Sequence, residues 1–138
     1  MNRPRVLLAD DHPATINALR ALLDREFEIV AVVRDGDALI EAAERLVPDV
    51  IVTDIEMPRL SGIAAAGTIL HRHPAARIVF ATVHADRALM RRGLALGAFG
   101  YVLKVRAAED IVAAVRAAMR GDLHISPFPP LEEAVGRG

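Results

Sequence analysis

The sequence predicts an α/β fold in which a five-stranded parallel sheet is covered by helices on both faces. Short apolar runs alternate with amphipathic stretches five times along the chain, which is the pattern of consecutive βα units. The 138 residues, 53% of them hydrophobic, suffice for one domain with its own core. Because crossover connections between parallel strands are right-handed, few topologies remain, and the doubly wound strand order 2-1-3-4-5 is the expected one.

The first half of the chain supplies three strands and three helices. Residues 5–10 and 49–54 each contain an uninterrupted apolar run, as buried parallel strands do, whereas residues 27–34 carry charges at both ends and suit an edge strand. Pro13 fits the first turn of the first helix. The three helical faces are marked by apolar residues at helical spacing: Ile16, Leu19, Leu22 and Leu23; Leu39, Ala42, Ala43 and Leu46; Ile63, Ala66, Ile69 and Leu70.

The second half adds two strands, at residues 77–82 and 100–104, and two helices of unequal quality. The fourth helix, about residues 85–96, has a sparse apolar face interrupted by Gly93, which costs about 1 kcal/mol relative to alanine. We therefore expect it to be the loosest helix. The last helix is strongly amphipathic and stops at Gly121. These elements complete a flavodoxin-like (βα)5 domain.

The domain is predicted to span residues 1–122, with a proline-rich tail or linker at residues 123–138. The tail contains SPFPP, whose three prolines are typical of a linker or a frayed end. LEEAV, near the end, suits either the start of a further helix or a linker helix.

Composition excludes several classes of function. A net charge of −1 gives no overall electrostatic case for binding nucleic acid. No apolar run approaches the roughly 18 residues of a membrane span, and the first residues do not resemble a secretory signal. The absence of cysteine excludes disulfides and thiolate chemistry. A cytoplasmic location is the default expectation.

Polar residues close four of the five predicted strands. Asp10 and Asp11 end the first strand, Asp54 the third, Thr82 the fourth and Lys104 the fifth. The carboxyl ends of parallel strands meet at one edge of the sheet, where open α/β sheets bind ligands. We therefore expect these side chains to converge there.

The chemistry of this set is coherent, although each member alone has a simpler interpretation as a cap, a turn residue, a packed strand residue or a solvated charge. Clustered carboxylates repel one another unless a cation lies among them, and oxygen-only ligands suit Mg²⁺ or Mn²⁺. A carboxylate beside such an ion can attack phosphorus, and a lysine and a threonine hydroxyl can stabilise the transferring group.

Four motifs make the sequence resemble the receiver domains of two-component response regulators: LLADDHP, VTDIEMPRLSG, FATVHAD and GAFGYVLK. The resemblance implies that Asp54 accepts a phosphoryl group from a sensor histidine kinase or a phosphotransfer protein. It also implies a metal site made by Asp10, Asp11, Asp54 and the backbone carbonyl of Glu56. Lys104 would pair with the acceptor and then with the phosphoryl group.

The resemblance further implies a conformational switch. Thr82 would move toward the phosphoryl group and Tyr101 would swing inward, shifting the fourth helix and last strand. From the residues alone, a half-exposed strand aromatic is an equally good interpretation of Tyr101. Self-association as a homodimer would be one consequence of the switch.

One departure from the general receiver pattern indicates which group of receivers the sequence resembles most. Val105 follows Lys104, where many receivers have proline, and together with the DDH start this resembles the receivers of helix-turn-helix transcription factors. Those proteins contact DNA through a further domain, for which the 17 residues after Gly121 are too few. The sequence fits either a stand-alone receiver or a piece of a longer protein.

The favoured interpretation is a signalling protein that is phosphorylated and is not an enzyme. Two other functions are alternatives to it. One is a phosphatase with an aspartate nucleophile, which resembles the present motif poorly because its acids lie on the first strand and it carries a cap domain. The other is a receiver-like interaction module that is not phosphorylated, against which the complete Asp, Thr and Lys set argues. His12 suits a helix start better than a metal ligand, and His84 is expected to face the site.

Overall fold

A computed structural model describes residues 2–129 and shows a parallel sheet between two layers of helices. The strands are β1 (Arg5–Ala9), β2 (Glu28–Val33), β3 (Val50–Thr53), β4 (Ile78–Thr82), β5 (Gly100–Leu103) and β6 (His124–Ile125). The helices are α1 (Pro13–Leu23), α2 (Gly36–Leu46), α3 (Gly62–Arg72), α4 (Arg87–Leu96) and α5 (Ala107–Arg120), with a short 3-10 turn at Lys104–Arg106.

The strand order is β2-β1-β3-β4-β5-β6, and every pairing is parallel. The predicted order of the first five strands is confirmed. The prediction of five strands was wrong by one, because the beginning of the tail pairs with β5 as β6. Two residues of strand between a helix stop and a proline-rich stretch carry no periodic signal, so the sequence pattern could not reveal it.

The core is divided by the sheet into two apolar clusters. One lies under α1 and α5 and the other under α2, α3 and α4. β3 is buried throughout, whereas every residue of β2 is at least partly exposed, as its charged ends predicted. This arrangement places the ends of β1 and β3 side by side at the centre of the sheet, with both faces covered.

The structure describes only the first part of the predicted tail, up to residue 129. Residues 123–129 lie within the described part of the chain, and they include β6 and the fully buried Ser126. Residues 130–138, with LEEAV, lie outside the described residues. No helix among residues 2–129 is both long and apolar enough to cross a membrane.

Candidate phosphorylation and metal site

Asp10 and Asp54 lie at the predicted edge of the sheet, each one residue beyond the carboxyl end of its strand, β1 or β3. The backbone N–H of Asp54 donates to the carbonyl of Ala9, so the main chain fixes the separation of the two strand ends. Asp10 is fully buried and Asp54 is 4% exposed. Two carboxylates withdrawn from water this far require a counter-charge.

Lys104 supplies that counter-charge. Its Nζ lies 2.7 Å from Asp10 Oδ2, as a close ion pair, and donates a hydrogen bond of 2.9 Å to Asp54 Oδ2. Burial lowers the pKa of the lysine, but hydrogen bonds to Asp10 and Asp54 outweigh it and leave the pKa raised. The only lysine of the chain is therefore held as an ammonium between the two buried acids.

The second oxygen of Asp54 is held by the chain itself. Ile55 N–H donates to Asp54 Oδ1 at 2.7 Å, and Thr53 Oγ1 donates to the Asp54 carbonyl at 2.9 Å. Gly62 comes so close to this turn that a Cβ there would lie 1.7 Å from the Asp54 carbonyl oxygen. The turn that carries the Asp54 carboxylate therefore packs in a way that only glycine at position 62 permits.

Asp11 and His12 complete an oxygen-rich cluster at the start of α1. His12 Nδ1 lies 3.1 Å from Asp10 Oδ1, 3.2 Å from Asp11 Oδ1 and 4.0 Å from Asp54 Oδ2. Asp11 Oδ1 is buried and accepts no hydrogen bond among the described residues. His12 does precede α1, as predicted, but its ring also joins the acidic group, which its place in the sequence did not reveal.

The donor set fits a hard divalent cation. Three carboxylates meet with one ammonium, which leaves an excess of negative charge, and Asp11 Oδ1 accepts no hydrogen bond among the described residues. Oxygen ligands in such a group suit Mg²⁺ or Mn²⁺.

Thr82 and Glu56 both interact with His84. The buried Thr82 hydroxyl accepts from His84 N–H at 3.2 Å and makes no hydrogen bond to Asp54 in the described structure. The Glu56 side chain is exposed and pairs with His84 Nε2 at 3.0 Å. His84 faces the site, as the sequence suggested.

A cleft of about 400 Å³ lies at this edge of the sheet. Its lining includes Asp54, Lys104, His12 and His84. A small group can therefore reach the Asp54 carboxylate from solvent although the side chain is nearly buried.

Tyr101 occupies an inward position. It is fully buried, and its hydroxyl donates to the His84 carbonyl at 2.7 Å. Burial, reinforced by the negative charges of Asp86 and Asp54, raises its pKa to about 12. The alternative of a half-exposed strand aromatic was therefore wrong.

The profile of the response regulator receiver domain matches residues 6–116. The chain belongs to this family. Its receiver is 32% identical over 128 residues to the transcriptional regulatory protein DegU of Brevibacillus brevis, covering 91% of this chain and 54% of that protein. It is 31% identical over 116 residues to the DNA-binding transcriptional activator EvgA of Escherichia coli K12, covering 83% of this chain and 57% of that protein.

A solved structure gives the same result for the receiver's fold. A two-component response regulator of the LuxR family from Aurantimonas has a TM-score of 0.88 and 31% identity, covering 99% of both chains. The predicted likeness to receivers of DNA-binding transcription factors is confirmed. The chain spans about half the length of the curated relatives it matches.

Proposed function

We propose that this receiver accepts a phosphoryl group on Asp54 and changes conformation in response. The observation that carries the proposal is the convergence of three carboxylates and the only lysine at the central sheet edge. The donor is a phosphohistidine of a sensor kinase or a phosphotransfer protein. In the transfer, a carboxylate oxygen forms a bond to phosphorus as the bond from phosphorus to the histidine nitrogen breaks, and the imidazole recovers a proton.

Each residue of the site has a defined role in this proposal. Lys104 holds the Asp54 carboxylate before transfer and neutralises charge on the phosphoryl oxygens afterwards. Asp10, Asp11, Asp54 and the Glu56 carbonyl would hold a divalent cation. When bound, that ion neutralises negative charge on the transferring group.

Thr82 is proposed to reach the phosphoryl group from β4. Its hydroxyl lies at the same edge of the sheet as Asp54, and the loop it contacts through His84 leads directly into α4. Movement of Thr82 would therefore be transmitted to α4 first. The regulated event is binding to a partner, to a second copy of the chain or to an output domain that contacts DNA.

We infer a receiver at residues 1–122 and a proline-rich tail or linker at residues 123–138, whose first residues join the sheet as β6. The curated relatives are transcriptional regulators, which favours this reading over a phosphatase.

Mass spectrometry of the intact protein tests the proposal. Incubation with acetyl phosphate and Mg²⁺ should add one phosphoryl group to the wild type and none to Asp54→Asn. Asp49→Asn is a matched control, because Asp49 is an aspartate at the opposite end of β3, and it should label normally. Labelling of Asp54→Asn would refute the acceptor, no labelling of the wild type would favour an interaction module, and continued turnover of a phosphoester would favour a phosphatase.

A further inference from the structure

The residues that follow α5 pack against the buried tyrosine as a strap, defined here as residues 122–128. His124 and Ile125 form β6 along β5, pairing with Gly100 and Tyr101. Ser126 N–H donates to the Tyr101 carbonyl at 2.9 Å. The strap therefore holds the main chain of the residue whose side chain is predicted to switch.

Ser126 anchors the strap to two other elements. Its hydroxyl donates to Asp110 Oδ2 on α5 at 2.7 Å and accepts from Leu103 N–H on β5 at 3.1 Å. Ser126 is 1% exposed, so these bonds are made out of water. A segment anchored this way is an integral part of the fold up to this residue.

Beyond the anchor, Phe128 covers the tyrosine ring. The centroids of Phe128 and Tyr101 lie 5.8 Å apart with an angle of 37° between the rings. The guanidinium of Arg87, in the first turn of α4, lies 5.1 Å from the Phe128 centroid, in the range of a cation–π contact. Phe128 is thus packed between β5 and the beginning of α4.

A continuous set of contacts links this ring to Thr82, which lies at the same edge of the sheet as Asp54. The main chain of His84 is held by the Thr82 hydroxyl at its N–H and by the Tyr101 hydroxyl at its carbonyl. Tyr101 in turn packs on Phe128. A displacement of Thr82 cannot leave His84 and Tyr101 unchanged unless one of these hydrogen bonds is lost.

We propose that Phe128 is a positioning residue that favours the inward Tyr101 and so couples the strap to the phosphorylated state. The proposal rests on the proposed function, in which an inward Tyr101 accompanies the phosphoryl group. Since coupling between two sites is reciprocal, the strap should strengthen binding of a phosphoryl mimic, and the mimic should tighten the strap. The strap would thereby transmit the phosphorylation state of Asp54 to the residues that follow it.

Affinity for beryllofluoride in the presence of Mg²⁺ tests the first half of this coupling. Phe128→Ala should weaken beryllofluoride binding about fivefold, because an open space beside Tyr101 no longer favours its inward position. Arg87→Gln should weaken it less, about twofold. Phe128→Tyr should restore it, and Leu123→Ala is the matched control, because Leu123 lies in the same strap with 55% of its surface exposed.

Hydrogen exchange tests the second half. In the wild type, beryllofluoride should slow exchange of the Ser126 and Leu103 amides, and this slowing should be smaller in Phe128→Ala. A merely structural strap would change stability while leaving both the affinity and the effect of the mimic on exchange unaltered. That result, or tighter binding by Phe128→Ala, would overturn the proposal.

Binding of the mimic to the wild type distinguishes failure of the proposed function from failure of the coupling. If the wild type neither accepts a phosphoryl group nor binds the mimic, the proposed function is wrong and the coupling falls with it. If the wild type binds the mimic and Phe128→Ala binds it equally well, only the coupling is wrong.

Discussion

Helix α3 follows the loop that begins at Asp54, and helix α4 follows the loop that begins after Thr82; the two helices differ in how firmly they are packed. Six of the eleven residues of α3 are buried, including Ile63, Ile69 and Leu70, whereas the only buried residue of the ten-residue α4 is Gly93. Asp54 is thus held beside a firmly packed helix, while the loop from Thr82 leads into a loosely packed one. Apolar burial sets the cost of moving an element, so we expect the region around Asp54 and α3 to be the rigid side of this receiver and α4 to be the mobile side.

The rigid side should depend most strongly on Lys104. Lys104→Met removes the ammonium that lies between two buried carboxylates, and leaving buried charges unpaired typically costs about 3–5 kcal/mol. Urea unfolding without metal should show a loss of this order, and Mg²⁺ should recover much of it. Asp11→Asn, which reduces the same excess of negative charge, should leave the metal-free protein as stable or more stable. A Lys104→Met variant with wild-type stability would show that the acids are compensated in another way.

Glycine-to-alanine substitutions within the two helices should have opposite effects. A Cβ at Gly93 in α4 would lie 2.7 Å from the Phe80 ring, so Gly93→Ala should destabilise by about 1–3 kcal/mol through overpacking. A Cβ at Gly67 in α3 would meet nothing closer than 3.7 Å, so Gly67→Ala should stabilise by up to about 1 kcal/mol. Thermal unfolding of both variants measures the difference. A Gly93→Ala variant as stable as the wild type, or more stable, would refute the packing assigned to α4.

Amide exchange should separate the helices without any substitution. Amides in the last turns of α4 should exchange through local opening, at a lower free energy than those facing the core in α3. Beryllofluoride should change protection in α4 more than in α3. Equal protection of the two helices would remove the contrast on which the switch depends.

The smallest expected effect is that of Tyr101 ionisation on folding stability, which appears only in alkaline solution. Because Tyr101 is the only tyrosine and the chain has no tryptophan, ultraviolet absorption reports on this one phenol. Its pKa is raised from 10.0 to about 12, so folding stability should be unaffected below pH 10 and fall as pH rises from 10 toward 12. Phe128→Ala should move this pKa back toward 10. A wild-type titration midpoint near 10 would mean that the ring is exposed in solution.

The sequence predicted the rigid side better than the mobile one, and the reason is physical. In a parallel sheet the residue after each strand must lie at one edge, so Asp10, Asp54 and Lys104 could be brought together by topology alone. No comparable rule predicts which side chains meet between a loop and a helix, and the pairing of His84 with Glu56 came only from the structure.

Gly93 and the strap show where local rules mislead. Helix propensity treats Gly93 as a simple cost, but tertiary packing against Phe80 makes the missing Cβ a requirement. The prolines after Ser126 indicate a linker, yet Ser126 and Phe128 make specific contacts with α5, β5 and α4. In both cases a long-range contact overrides a correct local preference.

Chemical identification of the modified residue tests the central claim most directly. An acyl phosphate on an aspartate is reduced by borohydride to homoserine, which marks the acceptor permanently. After phosphorylation with acetyl phosphate and Mg²⁺, peptide mass spectrometry should find homoserine at position 54, at no other aspartate, and not without the phosphodonor. Homoserine at position 10 or 11, with Asp54 intact, would contradict the assignment of the phosphoacceptor.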